Sequence, residues 1–155
     1  YKRQDKDRIV TGWGASLSGI WQFAENTSLC FQGVYGKGIS NYIQDISGSG
    51  LDLVPSTTAE GELKAFCAWG GYIGFSHNWN KVLTSNIMYS YARALDRYGM
   101  PATSYKYAQY AAANLFWDFS EYGSCAIEYV FGRRNDFNKD YGNASRINTM
   151  IQYRF

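Results

Sequence analysis

The chain has 155 residues, of which 18% are aromatic and 18% charged, and its formal net charge is +2. So small a charge, with no Lys/Arg run interleaved with aromatics, argues against a nucleic-acid partner, while the charged share lies below the roughly 25% usual in soluble domains. Mean hydropathy is −0.36 and no apolar run approaches ~18 residues, which excludes a transmembrane helix but not a membrane β-barrel, whose strands hide half their residues from lipid.

The opening YKRQDKDR is charged and is followed by no apolar signal region, so the chain is expected to be a mature form or to begin partway through a longer protein. From Ile9 to Gly36 the only charged side chain is Glu25. Within that stretch a strand is expected over about 8–24, with Trp13, Ala15, Leu17, Trp21 and Phe23 on one face and Gly12, Gly14, Ser16, Ser18 and Gln22 on the other. A second, about 28–38, sets Leu29, Phe31 and Tyr35 against Ser28, Cys30, Gln32 and Gly36. The stretch 39–60 follows as a long loop rich in Ser, Gly and Asp, with Ile39, Tyr42, Ile43 and Ile46 spaced to bury one side of one or two helical turns. It is expected either to fold inward as a constriction or to form a surface or intersubunit contact.

Five more strands are expected. The third, about 61–77, puts Leu63, Ala65, Cys67, Trp69, Ile73 and Phe75 against Glu62, Lys64, Tyr72 and Ser76. The fourth, about 82–95, puts Ile87, Tyr89 and Tyr91 against Thr84, Asn86 and Ser90. The fifth, about 105–118, puts Tyr107, Ala111, Ala113, Leu115 and Trp117 against Lys106, Asn114 and Asp118. The sixth, about 122–134, puts Ile127, Tyr129 and Phe131 against Glu128, Gly132 and Arg134. The last stretch, 147–155, alternates Ile147, Thr149, Ile151, Tyr153 and Phe155 with Asn148, Met150, Gln152 and Arg154.

The links sort by length. Those near 24–27, 77–81 and 119–122 are short, whereas 39–60, 96–104 and 135–144 are longer and more polar. Short turns at one end and long loops at the other, strands of about 11–17 residues, and aromatics near strand ends are the layout of an outer-membrane barrel. The fold class expected is therefore all-β, an antiparallel transmembrane barrel. Seven strands leave two edges unpaired, which lipid does not tolerate. Residues 1–155 are accordingly expected to be the C-terminal part of one larger barrel domain.

Several segments in order resemble the C-terminal half of the DcaP-like family of trimeric outer-membrane porins: VYGKGISNYIQD at 34–45, AANLFWDF at 112–119, AIEYVFGRR at 126–134 and NASRINTMIQYRF at 143–155. The resemblance implies a barrel of about sixteen strands in the bacterial outer membrane, assembled as a homotrimer and passing small, often anionic, solutes. Ile151, Tyr153 and the terminal Phe155 resemble the signal read by the outer-membrane assembly machinery. Outer-membrane lipid or lipopolysaccharide, and other outer-membrane subunits, are the remaining partners expected.

The residues expected to set selectivity are those whose parity points them at a lumen. They are Lys64, Lys106, Asn114, Asp118, Glu128, Arg134, Arg146 and Arg154, with Glu62 beside them, and Arg93, Arg97 and Arg133 near the mouth are expected to join them. Basic side chains on a low-dielectric wall favour anions. The alternative is that these charges pair, Glu128 with Arg134 or Arg146, and only keep the lumen wet. Catalysis is not expected, since the single histidine, His77, lies in a short turn away from any nucleophile–acid pattern. Cys30, Cys67 and Cys125 are odd in number without metal-ligand spacing, and Asp45, Asp52 and Glu60 are too scattered for a calcium loop. No metal or cofactor is expected. Against the porin reading stand a plugged structural barrel serving as a subunit of a larger outer-membrane complex, and a soluble ligand-binding barrel.

Overall fold

The computed structural model describes residues 9–48, 50–56, 62–95, 97 and 99–155; the charged opening 1–8 and Glu60 lie outside the described residues. Seven long strands form one antiparallel sheet in which each strand pairs with the next along the chain. They are β1 (Trp13–Ala24), β2 (Thr27–Lys37), β5 (Cys67–Asn78), β6 (Leu83–Ala94), β7 (Tyr105–Asp118), β8 (Gly123–Asp136) and β9 (Tyr141–Tyr153). Between β2 and β5 a small hairpin pairs β3 (Leu53–Pro55) with β4 (Leu63–Ala65). No helix of the described residues is long and apolar enough to cross a membrane, which does not bear on crossing by strands.

The register keeps one parity except at two bulges, between Gln22 and Ala24 in β1 and between Tyr105 and Tyr107 in β7. Elsewhere odd residues face odd residues across every interface of the large sheet, from Leu17 opposite Gly33 to Cys125 opposite Ile151. Since successive side chains of a strand point to opposite faces, all odd positions share one surface and all even positions the other. The odd surface carries Trp13, Leu17, Trp21, Leu29, Phe31, Trp69, Ile73, Phe75, Ile87, Tyr89, Leu115, Trp117, Ile127, Tyr129, Ile147 and Ile151. Many of these are exposed: Leu17 is 71% accessible and Ile151 84%. A face of this breadth and apolarity would aggregate in water. It suits lipid.

At one end the strands are joined by residues 25–26, 79–82 and 119–122; at the other lie 38–66, 95–104 and 137–140. The third of these outer links is the exception to the expected sorting. Rather than a long loop over 135–144, it is a tight turn in which Lys139 takes φ 74°, and β9 starts at Tyr141 instead of Ile147. The stretch YGNASR pairs with β8 although it lacks apolar alternation. Hydrogen bonding across the ladder holds a strand whose faces are both polar, so periodicity alone does not mark its start.

Two other boundaries differ from expectation. β1 begins at Trp13. The expected third strand is divided: 63–65 turns away into the β3–β4 hairpin, and only from Cys67 does the chain join the large sheet. Phe66 at the break is fully buried; its amide donates to the Asp52 carbonyl at 3.0 Å and its carbonyl accepts from the Gly38 amide at 2.8 Å. A buried aromatic with both backbone groups satisfied by the loop fixes the point of divergence.

Candidate pore wall

The even face carries the features with chemistry, and it divides into two zones. Nearest the long links, its side chains are small: Gly14, Gly36, Ala68, Gly70, Ala92, Ala94 and Ala108. Onto this shallow surface folds the segment after β2. Two short 3₁₀ turns, Ser40–Tyr42 and Gln44–Ile46, present Ile39, Ile43 and Ile46 to the sheet. All three are buried, Ile46 to 1% accessibility, together with Val54, Phe66, Met100 and Tyr105. A Cβ placed on Gly70 would lie 3.1 Å from Ile43 Cγ2, and one on Gly14 2.9 Å from Ile39 Cγ2. The missing side chains of the sheet are the seats of the loop isoleucines.

Asp52 fixes the shape of the loop. One carboxylate oxygen accepts from the Ser40 amide and the Ser40 hydroxyl, each at 2.8 Å, and the other from the Asn41 side-chain amide, also at 2.8 Å. These bonds tie the first turn to the start of the β3–β4 hairpin across a dozen residues, and a charged acceptor strengthens each of them. Between loop and wall remains a cavity of about 250 Å³ bordered by Gln32, Tyr42, Asp45, Tyr72 and Ser90. Partial burial pushes the Asp45 carboxyl above its ordinary range. Tyr105 reaches the same zone through a β-bulge: it faces Asp136 while Tyr107 faces Asn135, so the extra residue transfers its ring to the even side. There its hydroxyl donates to the Ala92 carbonyl at 2.9 Å, and Arg134 lies over its ring at 5.8 Å.

Toward the short turns the even face is uncovered and mixed, with Ile20, Met88, Phe116 and Met150 set among polar side chains. One transverse row crosses all seven strands in unbroken register: Gln22, Ser28, Ser76, Asn86, Asn114, Glu128 and Asn148. Its second half is linked by hydrogen bonds. Asn86 donates to Asn114 at 2.8 Å, Asn114 to Glu128 Oε2 at 3.4 Å, and Asn148 to Glu128 Oε1 at 2.8 Å. At the end of the sheet, Lys81, Asp118, Glu121 and Arg154 border a cavity of about 360 Å³.

The register distributes the residues expected to line a lumen. Asn114, Asp118, Glu128, Arg134 and Arg146 follow the even face, and Arg154, just past β9, borders the same cavity as Asp118. Lys106 is the unopposed residue of the bulge. Lys64 belongs to β4 and pairs with Val54, so it and Glu62 sit in the loop hairpin and not on a long strand. Arg93 and Arg133 fall on the odd face, opposite Trp69 and Gln109 respectively, and so part company with the polar row. Glu128 takes its hydrogen bonds from asparagines, and Arg134 makes its ion pair with Asp136 at 2.9 Å; the expected Glu128–arginine network does not form among the described residues. His77 shares a 2.8 Å hydrogen bond with Thr27 and stacks with Phe75. It belongs to the aromatic belt of the short-turn end. The partners Asn86 and Asn148, and the small-residue seat, were not singled out as site residues in the sequence. A count of Gly and Ala at even positions of the long-loop half would have disclosed the seat.

The described residues contain no cluster of His, Cys, Asp or Glu able to hold a metal ion. No protein-family model matches the sequence, and no curated protein does. Among solved structures, the crystal structure of the outer membrane channel DcaP of Acinetobacter baumannii matches this fold with a TM-score of 0.76 at 18% identity, covering 93% of this chain and 41% of that one. The chain thus spans about two fifths of the length of that channel. The fold is an antiparallel β-sheet like that of the matching part of that structure.

Proposed function

We propose that the chain is the C-terminal part of a single outer-membrane β-barrel domain of about sixteen strands, and that the barrel is a channel for passive diffusion of small hydrophilic solutes. The observation that carries this reading is the single parity of the sheet. One largely apolar face suits lipid, and its reverse bears a polar row with a loop folded over one end, as a wetted lumen with a constriction requires. The likeness in fold to an outer membrane channel supports it. A homotrimer in the bacterial outer membrane follows from the motif resemblance. Ile151 and Tyr153 lie on the odd face, and the motif resemblance makes them, with Phe155, the signal for assembly.

Solute choice lies with the even-face charges. Arg134 is neutralised by Asp136, whereas Arg146 has no ion-pair partner among the described residues. Arg146 therefore supplies the anion preference, and Glu128, one residue pair further toward the short turns, opposes it. The test is conductance of the purified full-length protein in planar bilayers, with reversal potentials in a salt gradient. Open channels are expected, less anion-selective in Arg146→Gln and more so in Glu128→Gln. Absence of conductance would falsify the channel.

A second reading, a plugged barrel acting as a structural subunit of a larger outer-membrane complex, is favoured by one observation, the apolar packing of the 39–56 loop onto the wall. A silent wild type whose loop-deleted variant conducts would favour it.

A further inference from the structure

On the odd face, full charge occurs at three positions only: Lys37, Arg93 and Arg133. All are cations, all lie within the last four residues of their strands at the long-link end, and no odd position of the seven strands holds a carboxylate. Two of them, Lys37 and Arg93, are exposed and make no ion pair with a described residue. Arg133 is partly engaged, lying 4.5 Å over the Tyr141 ring. The opposite end of the same face finishes in Phe23, His77, Trp117 and Tyr153, with no full charge. The apolar face thus has an anion-seeking end and a neutral end.

Immediately below Arg93 the apolar face is notched. Gly33 on β2 pairs with Gly71 on β5, with Leu17 and Tyr91 on either side in the same row, and Tyr35, Trp69 and Ile73 complete the walls. The depression measures about 720 Å³ and its lining is almost wholly apolar. The Gly71 backbone leaves no choice of residue, because a Cβ there would lie 2.5 Å from the Gln32 carbonyl oxygen. At Gly33 a Cβ would meet nothing within 4 Å, so the space above it is open. Trp69, paired with Arg93, joins notch to cation.

We infer that this notch and the cations above it bind one phosphate-bearing, acylated lipid of the leaflet at the long-link end. An acyl chain lies over Gly33 and Gly71, and the phosphate meets Arg93 and Lys37. The inference rests on the membrane-barrel reading. Apolar contact alone would hold any lipid. The cations add the discrimination, since a guanidinium fork matches phosphate oxygens and basic groups near a membrane surface favour anionic headgroups. Charge complementarity and the abutting notch together point to a lipid and not to a free anion, which would leave the notch empty.

The test is native mass spectrometry of the purified full-length protein in neutral detergent, titrated with diphosphoryl lipid A, with phosphatidylcholine and with inorganic phosphate. Wild type should retain lipid A about thirtyfold more than phosphatidylcholine, in line with the attraction of two basic groups. Arg93→Gln with Lys37→Gln should reduce the two lipids to equal retention. Gly33→Leu, whose Cβ meets nothing within 4 Å, extends into the notch and should lower retention of both, and millimolar phosphate should not displace lipid A. Equal retention of the two lipids by wild type, unaltered lipid A retention in Gly33→Leu, or displacement by phosphate would each overturn the inference. Conductance of the same wild-type preparation reports separately on the channel, so the two readings can fail independently.

Discussion

The two zones of the even face stand on the same strands and the same parity, yet they are built from opposite materials. Where the 39–56 loop lies, the wall is glycine and alanine, and isoleucines fill the gaps. Where no loop lies, amides, hydroxyls and a carboxylate form one row, hydrogen-bonded from Asn86 to Asn148. A strand position therefore takes its chemistry from what covers it. Against the covering loop, each small residue lets an apolar side chain replace water. Against an open space, each polar side chain keeps water in place.

The sharpest way to break this contrast is to give the covered zone the chemistry of the open one. Ile46→Asp places an unpaired carboxylate where accessibility is 1%, and an uncompensated buried charge costs about 3–5 kcal/mol. The loop is expected to leave the wall while the large sheet persists. Limited proteolysis should then cut within residues 39–56, and single-channel conductance should rise. Retained protection would mean that the isoleucines do not hold the loop. Asp52→Ala comes next. It removes the acceptor of three hydrogen bonds, so Ser40 and Asn41 lose their anchor, at a cost of about 2–3 kcal/mol. Amide exchange at Ser40 should quicken far more than exchange in β7 and β8.

The strands and their faces were legible because one apolar and one polar face impose a period of two along most of each strand. Trp13 to Phe23 and Ile147 to Tyr153 read correctly for that reason. What was not legible is held by bonds without a side-chain period. β9 begins in YGNASR, where both faces are polar, and the β3–β4 hairpin takes Lys64 out of the long strand because Phe66 needs burial. The displacement of Tyr105 to the even face rests on a one-residue bulge, which alternation alone cannot foresee. Arg93 and Arg133 looked like mouth residues of the lumen from their position along the strand. Their odd numbers already set them on the other side.

A smaller effect sharpens the contrast from the side of the wall. Gly70→Val extends the sheet into space that Ile43 Cγ2 occupies, 3.1 Å from the new Cβ. Overpacking of this kind is expected to cost about 1–2 kcal/mol. Its partner change, Ile43→Ala, should recover part of that loss in the double variant, since the two side chains compete for one volume. Thermal unfolding of the four proteins in detergent gives the coupling, and strict additivity would place Ile43 away from its seat.

The least effect, and the one that distinguishes a fixed loop from an adjustable one, comes from Asp45. Its carboxyl borders the space between loop and wall, and burial raises its pKa above 3.8. A carboxyl raised in the docked state binds its proton more tightly there than in the released loop. Docking is therefore strongest at low pH, where both forms are protonated, and it weakens as pH rises from 3.8 through the raised value. Above that value the full desolvation penalty of the carboxylate opposes docking. The loop should accordingly open more often at neutral pH than in acid, seen as more frequent or larger conducting events. Asp45→Asn carries no charge to desolvate, so its opening should lose this pH dependence and stay near the acid level of the wild type. Other carboxylates of the loop, Asp52 above all, remain in the variant as an internal control. If Asp45→Asn kept the wild-type pH profile, the response would have to come from them.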